Sequence, residues 1–127
     1  MAEPRGQAVL VCDAVARDPA GKVTLYGIFD RIAVGKFPAV HATFSIYWRC
    51  VVPGPGRASL VISRPDGSTV ELEPTESNKE SEHIMQGTYT LVSFEFPLAG
   101  QYTAALVYNG KELLRCALQL VERKPQP

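Results

Sequence analysis

The chain is predicted to be all-β, a two-layer antiparallel β-sandwich of about eight strands. Two observations carry this prediction. Short alternating or continuous apolar stretches recur from Gln7 to Val121, separated by turn signals rich in Gly, Pro, Asn and Asp. No window of helical length keeps apolar residues at i, i+3, i+4 and i+7 without a Gly or Pro inside it. Strands this closely spaced leave no room for the crossover helices of βαβ units, so a sandwich is favoured. At 127 residues the chain is one domain, residues 7–122, with polar tails at 1–6 and 123–127 that should be flexible.

The first strand is placed at about residues 7–17. Asp18-Pro19-Ala20-Gly21 then reads as a turn, with Asp at its first position, Pro pre-setting the next dihedral and Gly accepting positive φ. The second strand, residues 22–34, returns antiparallel. In this register Leu10, Cys12 and Ala14 share the drier face with Val23, Leu25, Gly27 and Phe29, while Asp13, Arg17, Lys22, Thr24 and Asp30 take the wetter one. Residues 35–41 make an irregular crossing. The third strand, 42–52, shows the cleanest alternation, with Phe44, Ile46, Trp48, Cys50 and Val52 inward and Thr43, Ser45, Tyr47 and Arg49 outward.

Pro53-Gly54-Pro55-Gly56 cannot continue a ladder. Ala58, Leu60 and Ile62 mark the fourth strand, Pro65-Asp66-Gly67 a hairpin turn, and Val70 and Leu72 the fifth. Residues 73–83 are polar and acidic and are expected to form a mobile surface loop. The sixth strand spans 86–97, with Val92, Phe94 and Phe96 inward. The seventh places Tyr102, Ala104, Leu106 and Tyr108 on one face. Asn109-Gly110 is the strongest hairpin signal, and the eighth strand returns with Leu114, Cys116, Leu118 and Leu120 inward.

Lys plus Arg number 13 and Asp plus Glu number 13. A neutral chain lacks the positive excess that gripping nucleic acid or an anionic membrane requires. Neutrality also removes a brake on self-association, which admits a homodimer. No apolar stretch approaches the roughly 20 residues of a membrane span. The run Ala8-Val9-Leu10-Val11-Cys12 is shorter than a signal-peptide core, so the chain is expected to be cytoplasmic. Cys12, Cys50 and Cys116 have no Cys-x-x-Cys spacing and fall among apolar neighbours, which predicts buried free thiols in a reducing compartment.

Catalytic signals are sparse. There is no Gly-x-Ser-x-Gly elbow, and the glycines near Pro53 lack the Lys-Ser/Thr end of a phosphate loop. Asp13, Asp30 and His41 are the residues that suggest acid–base or metal chemistry. The predicted hairpin sets Asp13 opposite about Tyr26 and Asp30 opposite about Val9, roughly 13 Å apart along the ladder at 3.3 Å per residue. That is too far to share a proton or a metal, so the aspartates are read as partners of Arg17, Arg31 or Arg49 and of backbone amides. His41 and His83 are placed in loops and the cysteines in the core, which disfavours a zinc site. No catalytic, cofactor-binding or metal-binding residue is assigned.

Exposed Tyr and Arg suit recognition. Tyr26, Tyr47, Tyr89 and Arg49 are expected on solvent-facing positions. Tyr26, Asp30, His41, Tyr47 and Arg49 form the candidate interaction surface.

Two resemblances add to this reading. Leu98-Ala99-Gly100-Gln101-Tyr102 resembles the approach to the tyrosine corner of immunoglobulin-like domains, with Ala104 where the core cysteine would stand and Trp48 as the buried sandwich tryptophan. Leu10-Val11-Cys12-Asp13, Gly27-Ile28-Phe29-Asp30, Pro38-Ala39-Val40-His41 and Gly100-Gln101-Tyr102 together resemble a bacterial family of small all-β proteins of unknown function. That resemblance implies a bacterial origin and a single β domain, and no activity. The expected function is a non-catalytic protein–protein interaction module or assembly subunit, whose partner is another protein or a second copy. The alternatives are a small-ligand or carbohydrate-binding module, and an enzyme whose site assembles at an oligomer interface.

Overall fold

The computed structural model describes residues 3–124. Ten strands follow in order: β1 (Arg5–Arg17), β2 (Val23–Ile28), β3 (Arg31–Val34), β4 (Ala39–Val52), β5 (Gly56–Ser63), β6 (Thr69–Glu71), β7 (Thr75–Ser77), β8 (His83–Phe96), β9 (Gly100–Tyr108) and β10 (Lys111–Glu122). One sheet has the order β2-β1-β4-β8; the other runs β3-β10-β9-β5-β6, with β7 also paired to β5. The expected two-layer β-sandwich is present.

The core lies between the sheets, where the alternation of β4, β5 and β9 places it. Phe44, Ile46, Trp48, Cys50 and Val52 of β4 are all buried, and they face Leu60, Ile62, Tyr102, Ala104 and Leu106 of the opposite sheet. Each fully buried large side chain among them stabilises the fold by roughly 1.5–3 kcal/mol. The Asn109-Gly110 turn has φ of 48° and 82°, the left-handed pair that a two-residue hairpin needs.

The count rises from eight to ten for two reasons. The predicted second strand is two strands in different sheets. Phe29 N donates to Val11 O at 3.0 Å, the last rung of the first sheet. Gln119 N then donates to Asp30 O at 2.8 Å, and Arg31–Val34 continues parallel to β10 in the second sheet. Alternation along a sequence carries no mark of which sheet receives it. The polar segment 73–83 contributes β7, whose Thr75, Glu76 and Ser77 pair with Ala58, Arg57 and Gly56. An exposed edge rung needs backbone groups and no apolar side chain, so hydropathy could not find it.

The first hairpin differs by one residue. Its closing pair is Arg17–Val23, so the loop holds five residues rather than four. Asp18 N bonds to Lys22 O at 2.9 Å, and Lys22 N to Asp18 Oδ1 at 2.8 Å. The extra residue sets Ala14 opposite Tyr26 and Cys12 opposite Ile28. A one-residue slip exchanges the faces of a strand. Accordingly Val9 and Val11 enter the core, while Leu10, Cys12 and Ala14 lie on the outer side of the first sheet.

β8 shows a second exchange. Val92, expected inward, is 68% exposed, whereas Phe94 and Phe96 pack inward. Ser93 has φ of 52°, a left-handed kink that resets the alternation, so Leu91 and Phe94 face the core with two exposed residues between them. β4 makes the matching change, with Ala42 and Thr43 both exposed between His41 and Phe44.

The tails are shorter than predicted. Arg5 and Gly6 pair with Val51 and Cys50, and Arg123 N donates to Val34 O at 2.6 Å. The outermost tail residues, 1–2 and 125–127, lie outside the described residues. Among the described residues no helix is long and apolar enough to cross a membrane.

Candidate functional site

The five residues of the candidate surface divide into two groups. Tyr26, Tyr47 and Arg49 lie on the strands of the first sheet, on its outer side. Tyr26 is 55% exposed, as expected, but Tyr47 is buried at 7%. The cause is the β1–β2 hairpin, whose tip lies over the sheet: residues 20–23 line one depression with Tyr47, Arg49 and Gln86. Beneath it Tyr47 donates its hydroxyl to Gln86 Oε1 at 2.6 Å, and Arg49 Nε donates to Gln7 Oε1 at 2.7 Å. Cys12 and Ser45, register partners on this side, are likewise buried. Tyr47 is therefore a structural side chain rather than a free recognition group.

Asp30 and His41 lie where the chain passes between the sheets. His41 belongs to β4, not to a loop, and its ring packs among Phe29 at 6.2 Å and Phe44 at 5.6 Å between centroids. Asp13, Arg31 and His41 line one open depression of about 400 Å³, together with Gly27, Phe29 and Ile32. Gly27 is required there. Its φ is +64°, which disfavours other residues, and a Cβ would run into the Asp13 carboxylate. Asp30 is outside this depression and lines two neighbouring ones. Among the described residues, Arg17, Arg31 and Arg49 form no ion pair with Asp13 or Asp30. The depression thus offers a carboxylate, a guanidinium and an imidazole edge to one opening.

His83, also expected in a loop, begins β8, with Nε2 at 2.7 Å from Ser77 Oγ and Nδ1 at 2.8 Å from Ser81 O. Tyr89 is half-buried rather than exposed, and its hydroxyl donates to Glu73 O. No group of three His, Cys, Asp or Glu side chains placed to hold a metal occurs among the described residues. Cys12, Cys50 and Cys116 are free thiols, Cys12 and Cys50 buried and Cys116 half-buried. Loss of solvation raises all three above the ordinary thiol range, Cys50 to about 11, so they are poor nucleophiles at neutral pH. Cys12 lies on the outer row of the first sheet, opposite Ser45, not in the middle of the sandwich as expected.

Sequence reasoning missed the exposed apolar side chains. Ile28, Val40 and Val92 are 58%, 61% and 68% exposed on the first sheet. Of these, Val92 is expected inward by an alternation that Ser93 breaks, whereas Ile28 falls between the inward Gly27 and Phe29 and Val40 in the irregular crossing, neither singled out as a contact residue.

The remaining diagnostic is at Tyr102. Its hydroxyl donates to Leu98 O at 2.7 Å and accepts from Leu98 N at 3.1 Å, forming the tyrosine corner, and Trp48 is buried in the core. Two packed sheets, a buried tryptophan and that corner define an immunoglobulin-like β-sandwich. Among solved structures the chain is similar to the Pseudomonas fluorescens alkylpurine DNA glycosylase AlkC bound to DNA containing an abasic site analog, with 11% identity, a TM-score of 0.53, and coverage of 94% of this chain and 31% of that one. This chain therefore spans about a third of that protein's length, and at this identity the likeness shows the fold alone. It is also similar to an immunoglobulin-like protein from Pseudomonas aeruginosa, with 12% identity, a TM-score of 0.41, and coverage of 94% and 97%. Residues 7–121 match the family of unknown function DUF6941, and the chain belongs to that family. No curated protein matches it.

Proposed function

We propose that this protein is a non-catalytic interaction module that binds another protein through the outer side of its β2-β1-β4-β8 sheet. The observation that carries this reading is the exposure of Tyr26, Ile28 and Val40 on strands of one sheet. Large apolar side chains gathered on one side of a small domain mark contact surfaces. The test is affinity capture from the native host with wild type and with Tyr26→Ser/Ile28→Lys. A stoichiometric partner held by wild type and lost by the variant, at unchanged melting temperature, supports the reading. Equal capture by both overturns it.

A second reading rests on the depression shared by Asp13, Arg31 and His41. An exposed acid and base around one opening suit a small polar molecule, a carbohydrate included. A thermal-shift panel of sugars and small organic acids on wild type and Arg31→Ala checks it. A stabilisation that the variant loses favours ligand binding over protein recognition.

A further inference from the structure

The outermost strands of the two sheets are β2 and β8 in one and β3 and β6, with β7, in the other, and all but β8 are short. β2 has six residues, β3 four, and β6 and β7 three each. Short edges are one way proteins avoid unwanted strand pairing. β8 breaks the rule, since its 14 residues pair with β4 on one side and, among the described residues, with no strand on the other. Among the described residues no backbone hydrogen bond reaches that free side.

Two of the usual protections, charge and proline, are also missing along this strand, although Glu73 and Ser77 of the neighbouring segment touch its Tyr89 and His83 side chains. From Ile84 to Phe94 there is no charged residue and no proline. An unpaired strand of this kind presents a row of amides and carbonyls complementary to another extended strand.

We infer that β8 pairs antiparallel with β8 of a second copy of this chain, about a two-fold axis at Thr88. The side-chain pattern supports this occupant. With Thr88 opposite Thr88, Gln86 faces Thr90 and the exposed Ile84 faces the exposed Val92. On the core side Met85 faces Leu91, and Gly87 faces Tyr89, an aromatic ring beside a glycine. The pattern is self-complementary from 84 to 92. Faces agree along the whole span, because the kink at Ser93 lies just beyond it.

Charges do not oppose the arrangement. The nearest carboxylates, Glu82 and Glu95, fall opposite Phe94 and Ser81 and not opposite each other. The whole chain carries 13 positive and 13 negative side chains, so no long-range repulsion separates two copies. Pairing nine residues a side forms about nine backbone hydrogen bonds. It also joins the two four-stranded sheets into one of eight, in which Ile84 and Val92 gain apolar partners. Tyr26 and Ile28 sit on β2, at the far edge of the sheet, and stay open in this dimer. The inference is therefore independent of the reading proposed above.

The test is sedimentation or light scattering of the full chain over a concentration series. Wild type is expected at twice the 13.9 kDa monomer mass. Thr88 is exposed, so charge there leaves the monomer intact. Thr88→Lys alone and Thr88→Glu alone each set like charges against each other at the axis, and each raises the dissociation constant more than about tenfold. An equimolar mixture of the two restores the dimer, because Lys then faces Glu. Ile84→Glu/Val92→Lys in one chain also dimerises, since position 84 faces position 92. A monomeric wild type overturns the inference, as does a dimer that Thr88→Lys leaves unchanged. A monomer that captures an extended peptide of another protein along β8 overturns it equally. Loss of partner capture by Tyr26→Ser/Ile28→Lys with the dimer retained separates the two surfaces.

Discussion

Removing the Tyr102 hydroxyl tests the corner that defines this fold. Tyr102 is 1% exposed, and its ring packs edge-on against Phe96 with centroids 5.1 Å apart. Tyr102→Phe keeps that packing and deletes two hydrogen bonds, the O–H donated to Leu98 O and the N–H accepted from Leu98. A typical intramolecular hydrogen bond contributes about 1 kcal/mol net. Leu98 is 40% exposed, so water recovers part of what its amide and carbonyl lose. The two bonds together should therefore cost about 2 kcal/mol. For a domain of this size about 1 kcal/mol corresponds to roughly 4 °C, which places the melting temperature about 8 °C lower. The assay is urea unfolding followed by the fluorescence of buried Trp48, with the midpoint falling and the m-value unchanged. A loss below about 0.5 kcal/mol would refute the view that the corner holds the β8–β9 connection.

Four further predictions concern other parts of the molecule. Gly27→Ala should cost about 1–2 kcal/mol, from a left-handed φ and from contact with Asp13; adding Asp13→Ala should recover the steric part alone in a double-mutant cycle. Gly87→Ala should cost about 1–3 kcal/mol in urea unfolding, because its Cβ would lie 2.8 Å from Nε1 of the buried Trp48, which has nowhere to move. Asn109→Ala should cost about 1 kcal/mol by thermal melting, since Asn109 adopts φ of 48° and its Oδ1 accepts from Arg57 N at 2.9 Å. The Cys50 thiol, raised to about 11 by burial, favours the folded state fully below the unfolded thiol value and loses that contribution as pH climbs toward 11. Urea midpoints should fall over that window, and the fall should be shallower in Cys50→Ala; equal slopes would count against the burial argument.

How much was legible in the sequence depends on the range of the interaction. The turns at Asp66-Gly67 and Asn109-Gly110 were readable because a positive φ is a local demand that few residues meet. The inward sets of β4, β5 and β9 were readable because alternation is the direct image of burial on a regular strand. Tyr102 was readable because its partner is four residues away. The candidate surface fared worse. Tyr26 and Arg49 were placed on the correct side of the sheet, but the burial of Tyr47 depends on a hairpin tip arriving from residues 20–23.

The sequence by itself determined an all-β chain, most of its strands and the core of its central ones, since each follows from neighbours along the backbone. Only the tertiary structure decided that Phe29-Asp30 changes sheets, that a five-residue loop turns β1 over, and that Asp13, Arg31 and His41 meet at one opening. Those outcomes depend on which distant strand supplies the next hydrogen bond, and no local pattern encodes that choice.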